Sequence, residues 1–274
     1  MNKKVLFVLI TLAILNLNAQ ESIMTYNIRY NNPNDGENWW ENRKQELADM
    51  ILKYHPDILG IQEGLDNQVK YLDATLNNYS FVGVGRDDGL TKGEYSAIFF
   101  NKNNIKLLET KTYWLSETPS KVSIGWDASM ERIVTYGKFK NKSTNKIIHV
   151  FNCHYDHIGE KSRENSSNLI LKLIKNKKIE NDRIVVIGDL NSLPNDKPIA
   201  ILKTKLKDSY KISKSKPKGS IGTFNGFNSK EAIIDRIDYI FVSNLVVNQY
   251  TTIEDKRKNN LMLSDHMPVL VKLN

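Results

Sequence analysis

The chain has 274 residues, 40% of them hydrophobic and 26% charged, with a formal net charge of +8. That composition excludes a disordered, collagen-like or polytopic membrane protein. The single cysteine, Cys153, excludes an internal disulfide framework and any multi-cysteine zinc site.

Lys3 and Lys4 precede an apolar run over 5–15, and Ala19 supplies a small residue before Gln20. This pattern predicts a secretory signal peptide over 1–19, cleaved near Ala19, so that the mature chain is secreted or periplasmic. The apolar run is too short to cross a bilayer, which needs about 20 residues, so no transmembrane segment is expected. Residues 20–274 show no repeat, no linker and no break in composition, and are expected to form a single domain. Along that domain, apolar runs predict strands over 22–28, 57–62, 79–84, 95–100, 147–153, 184–188, 237–242 and 267–273. Several are continuous enough to be buried on both faces. Between them, Leu47, Met50, Ile51 and Tyr54 fall at helical spacing, predicting a helix over 41–54. Leu65, Val69, Leu72 and Leu76 predict a second helix, and Leu169, Ile170, Leu173 and Ile174 a third. The segment 203–219 reads as a loop ending in Pro217 and Gly219. It carries Lys203, Lys205, Lys207, Lys211, Lys214, Lys216 and Lys218 against Asp208 alone. Such a strip suits a polyanion and equally a solvated lysine surface. Strands alternating with helices place the chain in the α/β class.

The strand ends carry the chemical information. The run 23–26 ends at Asn27, 58–62 at Glu63, 147–151 at Asn152 and His154, and 184–188 at Asp189 and Asn191. Ser264, Asp265 and His266 lead into 267–273. Carboxylates, carboxamides and imidazoles are the groups a core tolerates least without partners, and ligand sites in α/β sheets lie beyond strand ends. Asn27, Glu63 and Asp265 offer hard oxygen donors suited to Mg²⁺ or Mn²⁺. His154 and His266 can hold a phosphate or exchange protons near neutral pH. Alternation along the strand turns the thiol of Cys153 to the face opposite its neighbours Asn152 and His154.

Six motifs occur in order: Thr25-Tyr26-Asn27, Ile61-Gln62-Glu63, Asn152-Cys153-His154, Gly188-Asp189-Leu190-Asn191, Arg236-Ile237-Asp238-Tyr239 and Ser264-Asp265-His266. With them the chain resembles the endonuclease/exonuclease/phosphatase family of metal-dependent phosphoesterases. The resemblance implies a four-layer αββα sandwich of two packed mixed sheets flanked by helices. It implies a Mg²⁺ or Mn²⁺ cofactor with Glu63 as its principal ligand and Asn27 and Asp265 beside it. Asp189 corresponds to the residue that orients and deprotonates the attacking water, Asn191 and His154 to phosphate contacts. His266 corresponds to the acid/base or phosphate-binding histidine, held by Asp238. Segments containing Arg86, Arg132 and Asp156-His157 are similar to an exported bacterial branch of the family. Arg29, Arg86, Arg132 and Arg163 are candidates to clamp an anionic substrate or to form ordinary salt bridges. Asp156 and His157 are further substrate-contact candidates. Arg29 stands where the family's apurinic endonucleases carry an acid, and Gly64 and Leu65 follow the glutamate, which disfavours abasic-site repair. The expected reaction is phosphoester hydrolysis by a monomer. The substrate is a phosphorylated small molecule or a lipid headgroup, with a secreted nuclease and a catalytically idle binding module as alternatives.

Overall fold

The computed structural model describes residues 20–228 and 230–274. Two six-stranded sheets pack face to face. One runs, in spatial order, β11 (Val247–Thr252), β12 (Val269–Leu273), β1 (Glu21–Asn27), β2 (Ile58–Gln62), β4 (Ile98–Asn101) and β3 (Tyr79–Val82). The other runs β5 (Ile105–Trp114), β6 (Ile133–Asn141), β7 (Ile147–His154), β8 (Ile184–Asp189), β10 (Asp238–Ser243) and β9 (Lys207–Asp208). Both sheets are mixed: β1 with β2 and β7 with β8 are the parallel pairs, and the other pairings are antiparallel.

Alternation explains why the central strands are apolar throughout. In β1, Ile23 faces the second sheet while Met24 and Tyr26 face outward; in β8, Val185 and Ile187 face inward and Ile184 and Val186 outward. Helices cover the outward faces. Helix α1 (Trp40–Tyr54) contributes Leu47 and Ile51 and α2 (Asp66–Thr75) contributes Val69 and Leu72 to the layer over Met24, Tyr26 and Leu59. On the far side, α3 (Glu160–Asn176) and α4 (Lys197–Lys203) lay Ile170, Leu173, Ile199 and Leu202 over Phe151, Cys153 and Val186. The result is the αββα sandwich, with the Cys153 thiol sealed in the outer layer. Between the sheets, the Asn152 amide accepts from Gln62 Nε2 at 2.6 Å and donates to the carbonyls of Ile61 and Ala97 at 2.9 and 2.8 Å. This is a buried polar staple in which the Asn152 amide is satisfied while Gln62 Oε1 is left without a hydrogen-bond partner. The staple requires Gly60, because a Cβ there would sit 2.7 Å from Asn152 Cγ and 2.5 Å from Ile187 Cδ1.

Three differences from the sequence reading have physical causes. β5 is a polar, largely exposed edge strand and β6 is interrupted by Gly137 and lysines, so neither stands out as an apolar run. The alternating, partly exposed β11 escaped for a similar reason. The segment 203–219 is not simply a loop: it contains the end of α4, the short β9, and α5 (Ser209–Ile212). Buried Asp208 organises it, accepting from Tyr210 N at 3.1 Å as the α5 cap and from Arg236 through two hydrogen bonds of 3.0 and 2.6 Å. No helix among the described residues is long and apolar enough to cross a membrane.

Candidate active site

The mixed topology brings the polar strand ends to one rim. Parallel pairing aligns Asn27 of β1 with Gln62 of β2, so Glu63 follows immediately beside it. Parallel pairing of β7 with β8 aligns His154 with Asp189, and antiparallel β10 begins with Asp238 opposite that same Asp189. Gly188 makes the last step possible: its φ is 144°, and a Cβ there would meet the Cys153 carbonyl oxygen at 1.8 Å. Arg29, Glu63 and Asn191 all adopt positive φ, between 43° and 63°. Left-handed backbone at residues other than glycine costs about 1–3 kcal/mol each and clusters at functional sites.

These groups surround a cleft of about 560 Å³. Asn27 lies buried beneath it, its amide donating to Glu63 Oε1 at 2.9 Å and to Asp189 Oδ2 at 3.0 Å. His266 Nδ1 donates to Asp238 Oδ2 at 2.8 Å, which aims Nε2 toward Asp189 Oδ2, 3.7 Å away. Arg132 Nη1 donates to His154 Nδ1 at 3.2 Å. That contact puts the ring proton of a neutral His154 on Nε2, which faces Asp189 Oδ2 at 3.5 Å; Asn191 Nδ2, 3.2 Å from Nε2, donates instead to Tyr155 O at 3.0 Å. Below the cleft, the buried Arg43 guanidinium donates to the carbonyls of Ile28, Arg29, Asn38 and Leu263. It ties the Asn27 loop to the loop that carries Asp265.

The two histidines are driven in opposite directions. Burial lowers His154 well below its ordinary value, helped by the charges of Arg132 and Arg86, so it is neutral. Burial works against His266 as well, but Asp238 and Asp189 outweigh it and hold the ring as an imidazolium. Burial raises Asp189 to about 7, with His266 opposing and Asp238 adding to the rise. Burial and the charge of Glu63 raise Asp265. Glu63, Asp189 and Asp265 thus bring their carboxylates together in the cleft, and Asp238 Oδ1 is buried behind them without a hydrogen-bond partner. A cation fits this surplus of hard oxygen donors.

Ligand atoms of Glu63, His154 and Asp189 converge within 4.8 Å, as do those of Asp189, Asp238 and His266. The histidine nitrogens nearest Asp189 carry protons, however, and an N–H cannot ligate a cation. The oxygens of Glu63 and Asp265 are the better donors; Asn27, expected as a ligand beside them, turns its amide nitrogen to Glu63 and Asp189 and its Oδ1 to Arg29 N at 3.0 Å, so it orients the carboxylates instead.

Of the residues singled out from sequence, Arg29, Glu63, Arg86, Arg132, His154, His157, Asp189, Asn191, Asp265 and His266 line the cleft together. Asn27 and Asp238 stand directly behind it, fully buried. Asp156 does not reach it. Its carboxylate is fully buried and accepts from Ser129 N and Oγ, Arg132 Nε, Ile158 N and Gly159 N, so it braces Arg132 rather than touching a substrate. Arg163 lies in a separate depression beside Glu164 and Lys197. Arg29 is paired with Asp35 at 3.0 Å and stands 3.8 Å from Asp265. Sequence reasoning missed Glu94, which lines the cleft with Tyr30, Met130, Phe224 and Ile237. Its signal was present: like Asp265 and His266, it is a charged residue just ahead of an apolar run.

The family model of the endonuclease/exonuclease/phosphatase family matches residues 24–266. The chain belongs to this family and is a phosphoesterase. The chain is similar to an endonuclease/exonuclease/phosphatase of Bacteroides vulgatus, with 38% identity, 93% of this chain and 98% of that one covered, and a TM-score of 0.87. It is also similar to a mannosyl-6-phosphatase of Bacteroides thetaiotaomicron, with 36% identity, 93% and 99% coverage, and a TM-score of 0.88. An uncharacterized protein of Acanthamoeba polyphaga mimivirus is 27% identical over 251 residues, which make up 85% of this chain and 91% of that protein.

Proposed function

We propose that the protein is an exported, Mg²⁺- or Mn²⁺-dependent phosphomonoesterase that hydrolyses a small phosphorylated sugar or polyol by direct attack of water. The observation that carries this reading is the shape and polarity of the cleft. Its walls supply one compact phosphate pocket and no lysine. None of the lysines between 203 and 218 lines it; they lie on α4, β9, α5 and the segment that hydrogen-bonds alongside β11. A nuclease needs a strip of free cations to follow a phosphate backbone, whereas the arginines in the cleft are each paired with a carboxylate, Arg29 with Asp35, Arg86 with Glu94 and Arg132 with Asp156. The mannosyl-6-phosphatase of B. thetaiotaomicron supports a sugar monoester among the small substrates.

The chain's own residues then divide the work. The Nε2–H of His154 and the amide of Asn191 hold the phosphoryl oxygens, with Arg132 fixing the tautomer of His154. Asp189, titrating near 7, orients the water and accepts its proton. The His266 imidazolium, braced by Asp238, meets the negative charge that grows on phosphoryl oxygen in the transition state. Glu63 and Asp265 would hold the divalent ion, with Asn27 orienting Glu63, and the ion when bound supplies positive charge to phosphoryl and leaving-group oxygen. Export rests on the pattern of residues 1–19, which lie outside the described residues; mass spectrometry of native protein should find them removed.

The test is a substrate panel with Mn²⁺ at two salt concentrations, containing hexose 6-phosphates, inositol phosphates, sphingomyelin, single-stranded RNA and plasmid DNA. Turnover concentrated on the sugar and polyol phosphates is expected. Efficient, steeply salt-dependent cleavage of nucleic acid would overturn the reading.

A further inference from the structure

The segment between β3 and β4 is a tight ribbon. Gly85 N donates to Leu90 O at 3.0 Å, Arg86 N to Glu94 O at 3.1 Å, and Asp87 N to Lys92 O at 3.0 Å. The ribbon is fixed from outside by Trp114 Nε1, which donates to Arg86 O at 2.8 Å, and by the Tyr95 hydroxyl, which has Asp66 Oδ1 and Leu90 O as acceptors for its one proton, each 3.1 Å away. Arg86 and Glu94 therefore stand opposite each other, and the pair lines the cleft beside Glu63, Arg132 and His154. Arg86 Nη1 donates to Glu94 Oε2 at 2.6 Å and Nη2 to Oε1 at 3.1 Å.

The pair leaves hydrogen-bonding capacity unused. Each carboxylate oxygen accepts one bond from Arg86 and keeps a second acceptor position. His154 Nδ1, 3.8 Å away, accepts from Arg132 and has no proton to offer Glu94. Arg86 Nε is buried without a hydrogen-bond partner, with Asp87 Oδ1 3.6 Å away. Buried, underused polar groups in a cleft are placed to meet polar groups of a ligand. The charge excludes a second phosphate: the pair is neutral overall, and Glu63 adds its own negative charge beside Glu94. Hydroxyl groups satisfy both oxygens, and Tyr30, Met130 and Phe224 offer apolar surface to the carbon skeleton that carries them.

We infer that Glu94, held in place by Arg86, is the acceptor for hydroxyl groups of the leaving alcohol and selects polyhydroxylated phosphomonoesters over aryl or alkyl ones. This rests on the phosphomonoesterase reading above and adds the residue that sets specificity. A plain structural salt bridge is the competing role, and the two roles separate by substrate. A lost bond to a hydroxyl affects only substrates that carry the hydroxyl; a loosened ribbon affects all.

The experiment compares wild type with Glu94→Gln and Glu94→Ala in the mature protein with Mn²⁺. Substrates are a hexose 6-phosphate, its monodeoxy analogues, and p-nitrophenyl phosphate. The ratio of kcat/KM for the sugar phosphate to that for the aryl phosphate should fall about 10–100-fold in E94Q, mostly through KM, the size expected for hydrogen bonds to a charged group. At least one monodeoxy analogue should show a comparable loss with wild type and little further loss with E94Q. A ratio that stays within about threefold in both variants, or variants that lose melting temperature and both activities alike, would overturn the assignment while leaving the phosphomonoesterase reading intact. Wild-type protein that turns over other phosphoesters but no sugar phosphate would remove both.

Discussion

The pairing of Asp238 with His266 makes the most direct demand on the mechanism. Asp238→Asn preserves the side-chain shape but removes a buried charge that lies 2.8 Å from His266 Nδ1. At that separation and an effective dielectric of about 20, the Coulomb attraction is about 6 kcal/mol. Part of it is offset by the cost of burying both charges. At 1.36 kcal/mol per decade of rate, a net loss of about 3–5 kcal/mol corresponds to the 10²–10⁴-fold usual for a positioned acid or base. The sign of the pH effect follows as well. Asp238 favours the imidazolium, so its neutral replacement lets burial pull the His266 pKa down, and the basic limb of the kcat profile moves to lower pH. Initial rates on p-nitrophenyl phosphate from pH 5 to 9, with KM and melting temperature measured alongside, check both effects. A fall in kcat below about threefold, or a basic limb that does not move, would refute the claim that a charged dyad acts in the transition state.

Other consequences are simpler to state. Chelation with EDTA should abolish activity and Mg²⁺ or Mn²⁺ restore it; Glu63→Gln should raise the Mn²⁺ concentration for half-activity on the order of tenfold or more, and full activity after exhaustive chelation would contradict the cation site. Burial opposes ionisation of Asp156, but the bonds from Gly159 N, Ser129, Ile158 N and Arg132 prevail and hold it at about 2, below its ordinary 3.8. Its contribution is therefore present above pH 4 and lost as pH falls from about 4 to 2, and with solvent screening it amounts to roughly 1–2 kcal/mol; urea titrations of wild type and Asp156→Asn should converge over that window. Gly60→Ala places a methyl group against Ile187 and Asn152 and should cost about 1–3 kcal/mol in urea stability, whereas an unchanged midpoint would mean that the sheets can part to admit it.

How much of this was legible in the sequence depended on what each residue faces. Strands buried on both sides, such as β1, β2 and β8, declared themselves as apolar runs, and the polar groups ending them marked the rim before any coordinates. Edge strand β5 alternates too weakly to show, because one of its faces meets water. Asp156 misled because sequence places it between His154 and His157, while the chain turns there and buries its carboxylate under Arg132. Asn152 looked like another rim residue, yet its position in β7 turns it toward the opposing sheet. Arg43 could not be recognised as a brace from composition, since all four of its acceptors are backbone carbonyls.

The location of Glu94 shows what kind of information was recoverable but unread. A charged residue at the end of an apolar run was treated as a signal, while one at the start was treated so only for Asp265 and His266. In a mixed sheet both cases mark the same rim, because an antiparallel strand enters where its neighbours leave. β4 runs antiparallel to β2, so a residue just before β4 approaches the level of one just after β2. Glu94 thus comes to lie near Glu63 by topology alone. The same geometry places Asp238, at the start of β10, opposite Asp189 at the end of β8. A rim built from exits and entries of both sheets gathers a surplus of carboxylate oxygens in one place. That surplus connects the two halves of the functional argument: it calls for a cation at Glu63 and Asp265, and it leaves Glu94, already paired with Arg86, with acceptor positions that only a neutral donor can fill at no electrostatic cost.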